Sequence, residues 1–524
     1  MVLLKGTPVA PGLAVGPLVC LAGVVQVARA RGSRGDERDA LAAAIGAARE
    51  ELAAIAARAG NADEEGIVAF QIELLEDAEL AGPAYAAIDA GEAADTAWRA
   101  AMGLQIDDYQ SSDSEYFRAR AADLRDLCDR VLGRLSGDTA EAIPQGAIVA
   151  ADDLAPSRFL ATDWSNGGLV LHRAGATSHV AILARARGVP MLVGVDSAQL
   201  GGHSQALLDA QNGTLILDPD PDTRQAFDRR RTTYALQQVA DARYLEKEAR
   251  TGSGERVQVM INVARPDDVG TLDPAHVDGI GLVRTEFLFH DRDRLPDEEE
   301  QYRVYSRLLQ WAAGKPVTIR TLDAGGDKPI PGLTRERESN PFLGVRGVRL
   351  SLRHPQVLSV QLRALARAAV DTNLKVMIPM VTLPEELERC RALLVRAVAE
   401  LAAEGVPAAL PKLGMMVEVP AAALAVEEFA AHFYSIGSND LIQYLSAASR
   451  DEPELASVAL PGTGFLRVVR SICEHGSREG REVSLCGDLA SDPLQIRALL
   501  DCGLRTLSVA PAALAAVKAA IAKC

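Results

Sequence analysis

Eight short apolar runs recur between residues 257 and 510: VQVMIN, GIGLVRTE, PVTIRT, LKVMIPM, KLGMMVE, FYSIGSND, EVSLCGD and LRTLSVA. Helical stretches such as EELERCRALLVRAVAELAAEG separate several of them. Eight strands alternating with helices over roughly 270 residues are the signature of a C-terminal (β/α)8 TIM-type barrel, which few other chains of this length can imitate. In such a barrel the chemistry sits at the C-terminal ends of the strands. Here those ends carry Asn262, Arg284, Arg320, Glu418, Asn439, Asp440 and Cys486, so the pattern gathers them around one mouth.

The first half has two other textures. Residues 31–142 are rich in Ala, Glu, Asp and Arg at helical spacing. In AADLRDLCDRVLGRLSG, Leu124, Leu127, Val131 and Leu132 share a face, and Gly133 and Gly137 mark the end. From 143 to 221 the chain turns to short strands, GAIVAADD, GGLVLH and PMLVGVD, then ALLDAQNGTLILDP with Asn212-Gly213 between two apolar arms, a hairpin signal. The opening residues also read as strands and turns. The expectation is a multidomain α/β chain: a discontinuous β/α domain (1–30 and 143–221) with an inserted all-helical domain (31–142), a helical linker (222–254) with a flexible Gly252-Ser253-Gly254 end, and the barrel (255–524).

At 524 residues several domains are required, and a net charge of -16 excludes a general nucleic-acid binder while suiting a basic partner. No run is long and apolar enough to span a bilayer, and Pro8, Pro11 and Pro17 break the apolar start, which makes a poor signal peptide. The seven scattered cysteines form no CxxC pair and fit reduced thiols, so a cytoplasmic location is expected.

At the barrel mouth, Arg284, Arg320, Arg346 and Arg450 are candidates to grip phosphate or carboxylate through paired N–H donors. Glu418 and Asp440 supply hard oxygen ligands suited to Mg2+, with substrate oxygens and water completing its shell. Any one of these charges alone is equally open to a structural ion pair. Cys486, beside Gly487 and Asp488 at the end of the seventh strand, is either a small buried apolar residue or a group for proton transfer. His179 stands apart. Small residues precede it, Thr177 and Ser178 occupy helix N-cap positions, and VAILARARG follows with Val180, Leu183 and Ala184 able to pack inward. At a helix N-terminus the dipole favours a neutral imidazole and, once it is phosphorylated, stabilises the phosphoryl oxygens. The other histidines have no such setting, and no spacing suggests a zinc site.

TSHVAILAR, LVRTEFLF, TLDAGGDKP, NPFLGVRGVR, GMMVEVPAA, YSIGSNDLIQY and CGDLA follow one another in the order found in enzyme I of the bacterial phosphotransferase system, which the chain resembles over nearly its whole length. The resemblance implies a swivelling phosphohistidine domain in which His179 accepts the phosphoryl group of phosphoenolpyruvate on Nε2. It further implies a substrate set of Arg284, Arg320, Arg346, Asn439, Asp440 and Arg450, Mg2+ on Glu418 and Asp440, and Cys486 as the acid that protonates the enolpyruvate methylene. The helical insert is then the docking domain for HPr, the small histidine-containing carrier, and the barrel the dimer interface. Three positions depart from the family pattern: Ala176, where Arg is frequent, Ser449, where an acid usually precedes the arginine, and Asp488, where Glu is usual. Two rival readings are a pyruvate–phosphate dikinase or phosphoenolpyruvate synthase, which needs a nucleotide-binding region ahead of the histidine domain, and a non-catalytic phosphoenolpyruvate sensor. No sensory domain precedes Met1, which weighs against the nitrogen-type enzyme.

Overall fold

The computed structural model describes the chain except residues 22–31, 58–61, 112–114, 138–142, 173–178, 197–198, 271, 290–293, 326–329, 331, 335–339, 450–454, 456–457 and 459, with backbone alone at 62–67, 70, 78, 111, 115–120, 122, 179, 182, 186 and 267. It divides into two units, Met1–Ala235 and Leu236–Cys524.

The first unit opens with β1 (Val2–Lys5), β2 (Thr7–Ala10) and β3 (Leu13–Cys20). Five helices follow: α1 (Arg34–Ala56), α2 (Ala62–Glu76), α3 (Ala78–Asp89), α4 (Ala94–Ser111) and α5 (Glu115–Ser136). The chain then re-enters the sheet through β4 (Ile148–Ala151), α6 (Pro156–Ala161), β5 (Gly168–Leu171), α7 (His179–Arg187), β6 (Met191–Val193), β7 (Gln205–Asp209) and β8 (Thr214–Leu217), and α8 (Pro221–Ala242) leaves it. The strand order is β1-β8-β7-β3-β4-β5-β6-β2, with β3 to β6 parallel, so β3 and β4 are neighbours although the whole bundle lies between them in sequence.

Residues 148–151 and 168–171 are buried throughout, as parallel strands covered on both faces must be. Their side chains alternate between two cores. Val149, Leu169 and Leu171 pack with Val180, Leu183 and Ala184 of α7, whereas Ile148, Ala150 and Val170 pack with Leu208 and Leu215. The hairpin at Asn212-Gly213 is present: the Asp209 carboxylate accepts from the N–H groups of Gln211 and Asn212, and Gly213 takes φ +70°. In the bundle, Ser33 and Asp36 form a capping box at the start of α1, and Leu41, Ala44, Ala48, Leu52 and Ile55 bury one stripe. Leu124, Leu127, Val131 and Leu132 are buried on α5. Gly133, however, lies inside that helix; Gly137, at φ +71°, follows its end.

The second unit carries the barrel. The Gly252–Gly254 segment is a tight turn and not a loose tether: Thr251 N donates to Glu255 O, Gly254 N donates to Thr251 O, and Arg250 bridges Arg256. Buried Lys518 fastens the preceding stretch by donating to the carbonyls of Leu245 (2.7 Å), Lys247 (2.9 Å) and His276 (2.7 Å). Composition suggested flexibility here because glycine and serine also make turns, and the deciding contacts come from distant residues.

The strands are β9 (Gln258–Val263), β10 (Ile280–Val283), β11 (Val317–Arg320), β12 (Leu374–Ile378), β13 (Lys412–Val417), β14 (Phe433–Ile436), β15 (Glu482–Leu485) and β16 (Thr506–Val509). Each pairs in parallel with the next, and β16 closes on β9. All eight coincide with the apolar runs read from the sequence. The helices between them include α9 (Glu298–Trp311), α10 (Val348–Arg353), α11 (Pro355–Ala368), α12 (Pro384–Ala403), α13 (Pro420–Leu424), α14 (Ser438–Ser446), α15 (Thr463–Glu479), α16 (Ile496–Asp501) and, last, α17 (Leu514–Ala522). Small residues let opposing side chains fill the barrel: a Cβ on Gly414 would lie 2.5 Å from the Phe433 ring, and one on Gly281 2.5 Å from Ser508 Oγ. At the opposite end from the strand C-termini, buried Lys375 reaches half-buried Glu482 at 2.5 Å and closes the base with an ion pair. No helix among the described residues is long and apolar enough to cross a membrane.

Candidate active site at the barrel mouth

Parallel pairing puts every strand C-terminus on one side, so the residues that follow β10, β11, β13, β14 and β15 converge. Arg320, the last residue of β11, donates to Glu286 Oε1 (3.0 Å) and lies 3.0 Å from Asp323 Oδ2. Arg346, just ahead of α10, donates to Asp323 Oδ2 (2.9 Å) and to Asp440 Oδ1 (3.1 Å). Glu418, one residue past β13, accepts from Met380 N at 2.6 Å. All six groups are buried. Burial alone would lower the pKa of both arginines, yet Glu286 and Asp323 around Arg320, and Asp323 and Asp440 around Arg346, hold them firmly charged. Glu418 moves the other way. Burial, then the negative charges of Asp440 and Asp323, push its carboxyl well above the usual range, against the pull of Arg320 and Arg346.

The structure therefore joins Arg320, Arg346, Glu418 and Asp440, as the sequence reading expected, and adds two members that reading missed, Glu286 and Asp323. Both lie inside quoted motifs, LVRTEFLF and TLDAGGDKP. The available signal was an acid two or three residues after an arginine at a strand end, Glu286 after Arg284 and Asp323 after Arg320. Arg284, half-buried after β10, makes no ion pair with any described residue, which leaves its guanidinium for a ligand. Arg450 and Ala176 lie outside the described residues, and Ser449, at the second departure, is described.

Four buried carboxylates thus face two buried guanidiniums, and two polar atoms nearby, Arg320 Nε and Ser438 Oγ, are buried without a hydrogen-bond partner among the described residues. Such a surplus of negative charge and orphaned donors fits a divalent cation with an oxygen-rich ligand. Among the described residues no three acidic, His or Cys groups cluster as a complete metal cage. Two carboxylates with the rest of the shell left open are what Mg2+ accepts when a phosphate shares it.

Asn439, in the first turn of α14, exchanges two hydrogen bonds with Asp488: Asn439 Nδ2 donates to Asp488 Oδ2 and Asp488 N donates to Asn439 Oδ1, both at 2.9 Å. The shorter acid at the third departure still reaches its partner. Gly437 and Gly487 make this approach possible, since a Cβ would lie 2.7 Å from Glu418 Oε2 at the first and 1.9 Å from Ser438 Oγ at the second. Cys486, 2% exposed, sits among Leu282, Met377, Met416 and Phe433, and burial pushes its thiol up to about 11, partly offset by a hydrogen bond from Ser435. It is protonated near neutrality, as a proton donor must be.

His179 is the first residue of α7, in the other unit. Its imidazole, Thr177 and Ser178 lie outside the described residues, but the helix start and the inward face of Val180, Leu183 and Ala184 agree with the sequence expectation.

Three family models match the chain: PEP-utilising enzyme, N-terminal, over residues 5–120; the mobile domain of PEP-utilising enzymes over 143–213; and their PEP-binding domain over 238–524. The chain is 36% identical to a phosphoenolpyruvate-protein phosphotransferase of Geobacillus stearothermophilus, over 92% of this chain and 86% of that one. It is 34% identical to the protein of the same name from Bacillus subtilis, over 92% and 87%. A multiphosphoryl transfer protein of Xanthomonas campestris is 37% identical over 98% of this chain and 63% of its own length.

Proposed function

Since the chain belongs to the phosphoenolpyruvate-protein phosphotransferase family, we propose that it takes the phosphoryl group of phosphoenolpyruvate onto His179 and hands it to a histidine of a small HPr-like carrier, releasing pyruvate. What carries this reading is the gathering at one barrel mouth of Arg284, Arg320, Arg346, Asn439, Asp440, Glu418 and Cys486. The dikinase and sensor alternatives are not favoured, because relatives aligned over most of both chains bear the phosphotransferase name.

Arg284, which has no carboxylate partner among the described residues, grips the substrate's anionic end, with Arg450 as a second candidate. Arg320 and Arg346 act from within their ion pairs, as a fixed positive wall against which the phosphoryl group is oriented. Glu418 and Asp440 would hold Mg2+, which when bound would neutralise charge on the phosphoryl oxygens. Asn439 and the backbone at Asp440 present N–H donors at the start of α14. His179 attacks phosphorus in line, the bond from phosphorus to the enol oxygen breaks, and C3 takes the proton of Cys486. Because His179 and the mouth belong to different units, the two must meet for the transfer.

The test is incubation with phosphorus-labelled phosphoenolpyruvate and Mg2+, followed by mapping of acid-labile label. Label on His179 with stoichiometric pyruvate is expected; label on another histidine, or label that requires ATP, refutes the assignment. A second expectation concerns Gly487→Ala. Its Cβ would meet Ser438 Oγ at 1.9 Å, so the start of α14 must shift, and turnover should fall about 10- to 100-fold for a stability cost of about 1–3 kcal/mol. Steady-state pyruvate release and a thermal melt check it; unchanged turnover would show that the cradle at Ser438 is not used.

A further inference from the structure

Asn262 closes a barrel strand as a polar residue, yet the reaction above gives it nothing to do. It donates from Nδ2 to the carbonyl of Cys486 at 3.0 Å and accepts at Oδ1 from Ser508 Oγ at 2.7 Å. On the other side of the cysteine, Ser435 of β14 donates to Cys486 Sγ at 3.2 Å, and Ser484, its cross-strand partner on β15, lies 3.0 Å from Ser435 Oγ as donor. Ser435 is fully buried and Ser484 nearly so. A hydroxyl has one proton. Ser484 Oγ lies nearer to Ser435 Oγ (3.0 Å) than to its other acceptor, the Tyr434 carbonyl (3.5 Å), and with Ser484 donating to Ser435 the Ser435 proton is directed at the sulfur. The hydrophobic neighbours of Cys486 are Leu282, Met377, Met416 and Phe433, beside which an alanine would cost less to bury than a serine.

We propose that Ser435, oriented by Ser484, is a positioning residue for the Cys486 thiol and holds the thiolate left when its proton moves to the methylene carbon, while Asn262 fixes the cysteine backbone from the opposite side. This rests on the reading of Cys486 as the acid. In that step the S–H bond breaks, the C2=C3 electron pair forms a C–H bond at C3, and the C2–O bond becomes the carbonyl of pyruvate. Negative charge ends on Sγ. A hydroxyl donates more strongly to a thiolate than to a thiol, so the bond tightens as the proton leaves and favours the transition state over the bound substrate. The thiol regains its proton from water once pyruvate has gone.

The contact predicts a split between kinetic constants. Ser435→Ala should lower kcat for pyruvate formation about 10- to 100-fold, the range for losing a hydrogen bond to a group that becomes charged, with KM for phosphoenolpyruvate within about twofold. Ser435→Thr, which keeps the hydroxyl on a strand, should return kcat to within about threefold of wild type. Ser484→Ala should give a smaller loss of the same kind, and it keeps the idea testable if Ser435→Ala does not fold. In a Cys486→Ala background, single-turnover rates should show no further loss when Ser435→Ala is added. Full kcat in Ser435→Ala beside an impaired Cys486→Ala overturns the positioning role alone, as does an undiminished Ser435→Ala effect in the Cys486→Ala background. A Cys486→Ala variant that turns over at the wild-type rate removes the acid itself, and the proposal with it.

Discussion

A His179→Ala variant given labelled phosphoenolpyruvate, Mg2+ and a carrier should take up no acid-labile label and pass none on, with pyruvate release lower by at least about 10⁴-fold. The size of the effect follows from the chemistry. On the proposed reading His179 is the covalent way-station, and the sequence of α7 offers no second histidine to take its place. Calorimetry on the same variant should find phosphoenolpyruvate affinity within about twofold of wild type, because the groups proposed to bind it belong to the barrel unit. Lost labelling with intact binding separates a missing acceptor from a damaged fold. A variant that still formed pyruvate and labelled the carrier would end the phosphohistidine reading. One that lost binding as well would move His179 into the substrate site.

Much of this was legible in the sequence, and the exceptions have a common cause. The barrel could be read because each strand is a short apolar run ended by a polar residue, a property local to the run. The start of α7 was legible for the same reason, since capping residues and the 180, 183, 184 stripe are near neighbours in sequence. Glu286 and Asp323 were not. An acid after a strand is as often solvated as buried, and only the folded barrel sets Glu286 against Arg320 and Asp323 against both Arg320 and Arg346. These arginines were expected to meet substrate directly; the structure gives each two carboxylates first. Ser435 and Ser484 were hidden within runs read as apolar, where the period-2 alternation turns them inward beneath Cys486. Gly252–Gly254 misled in the opposite sense, because the side chain that fastens the stretch ahead of it, Lys518, is more than 250 residues away.

Glu418→Gln should break the enzyme and stabilise it. The carboxylate is buried, and burial, Asp440 and Asp323 all oppose its ionisation more than Arg320 and Arg346 assist it. A carboxyl whose pKa is raised in the folded state binds its proton more tightly folded than unfolded. Its contribution to stability is complete below the unfolded pKa and is lost as pH rises through the folded value. Metal-free wild type should therefore lose stability as pH climbs above the ordinary carboxylate range. Glutamine removes that dependence: its Oε1 can still accept from Met380 N, and its amide fits beside Gly437. At pH 8 without metal the variant should be more stable by about 1–3 kcal/mol, a Tm roughly 2–6 °C higher. Mg2+ should raise the wild-type Tm and leave that of the variant nearly unchanged. Turnover of phosphoenolpyruvate should fall by about 10² to 10³-fold, because the variant lacks the carboxylate proposed to hold the cation that would neutralise phosphoryl charge. Melts across pH with and without Mg2+, beside pyruvate release, measure both sides. A variant less stable than wild type at alkaline pH, or one that keeps Mg2+-dependent turnover, would mean that the surplus negative charge at the mouth is not held there for a cation.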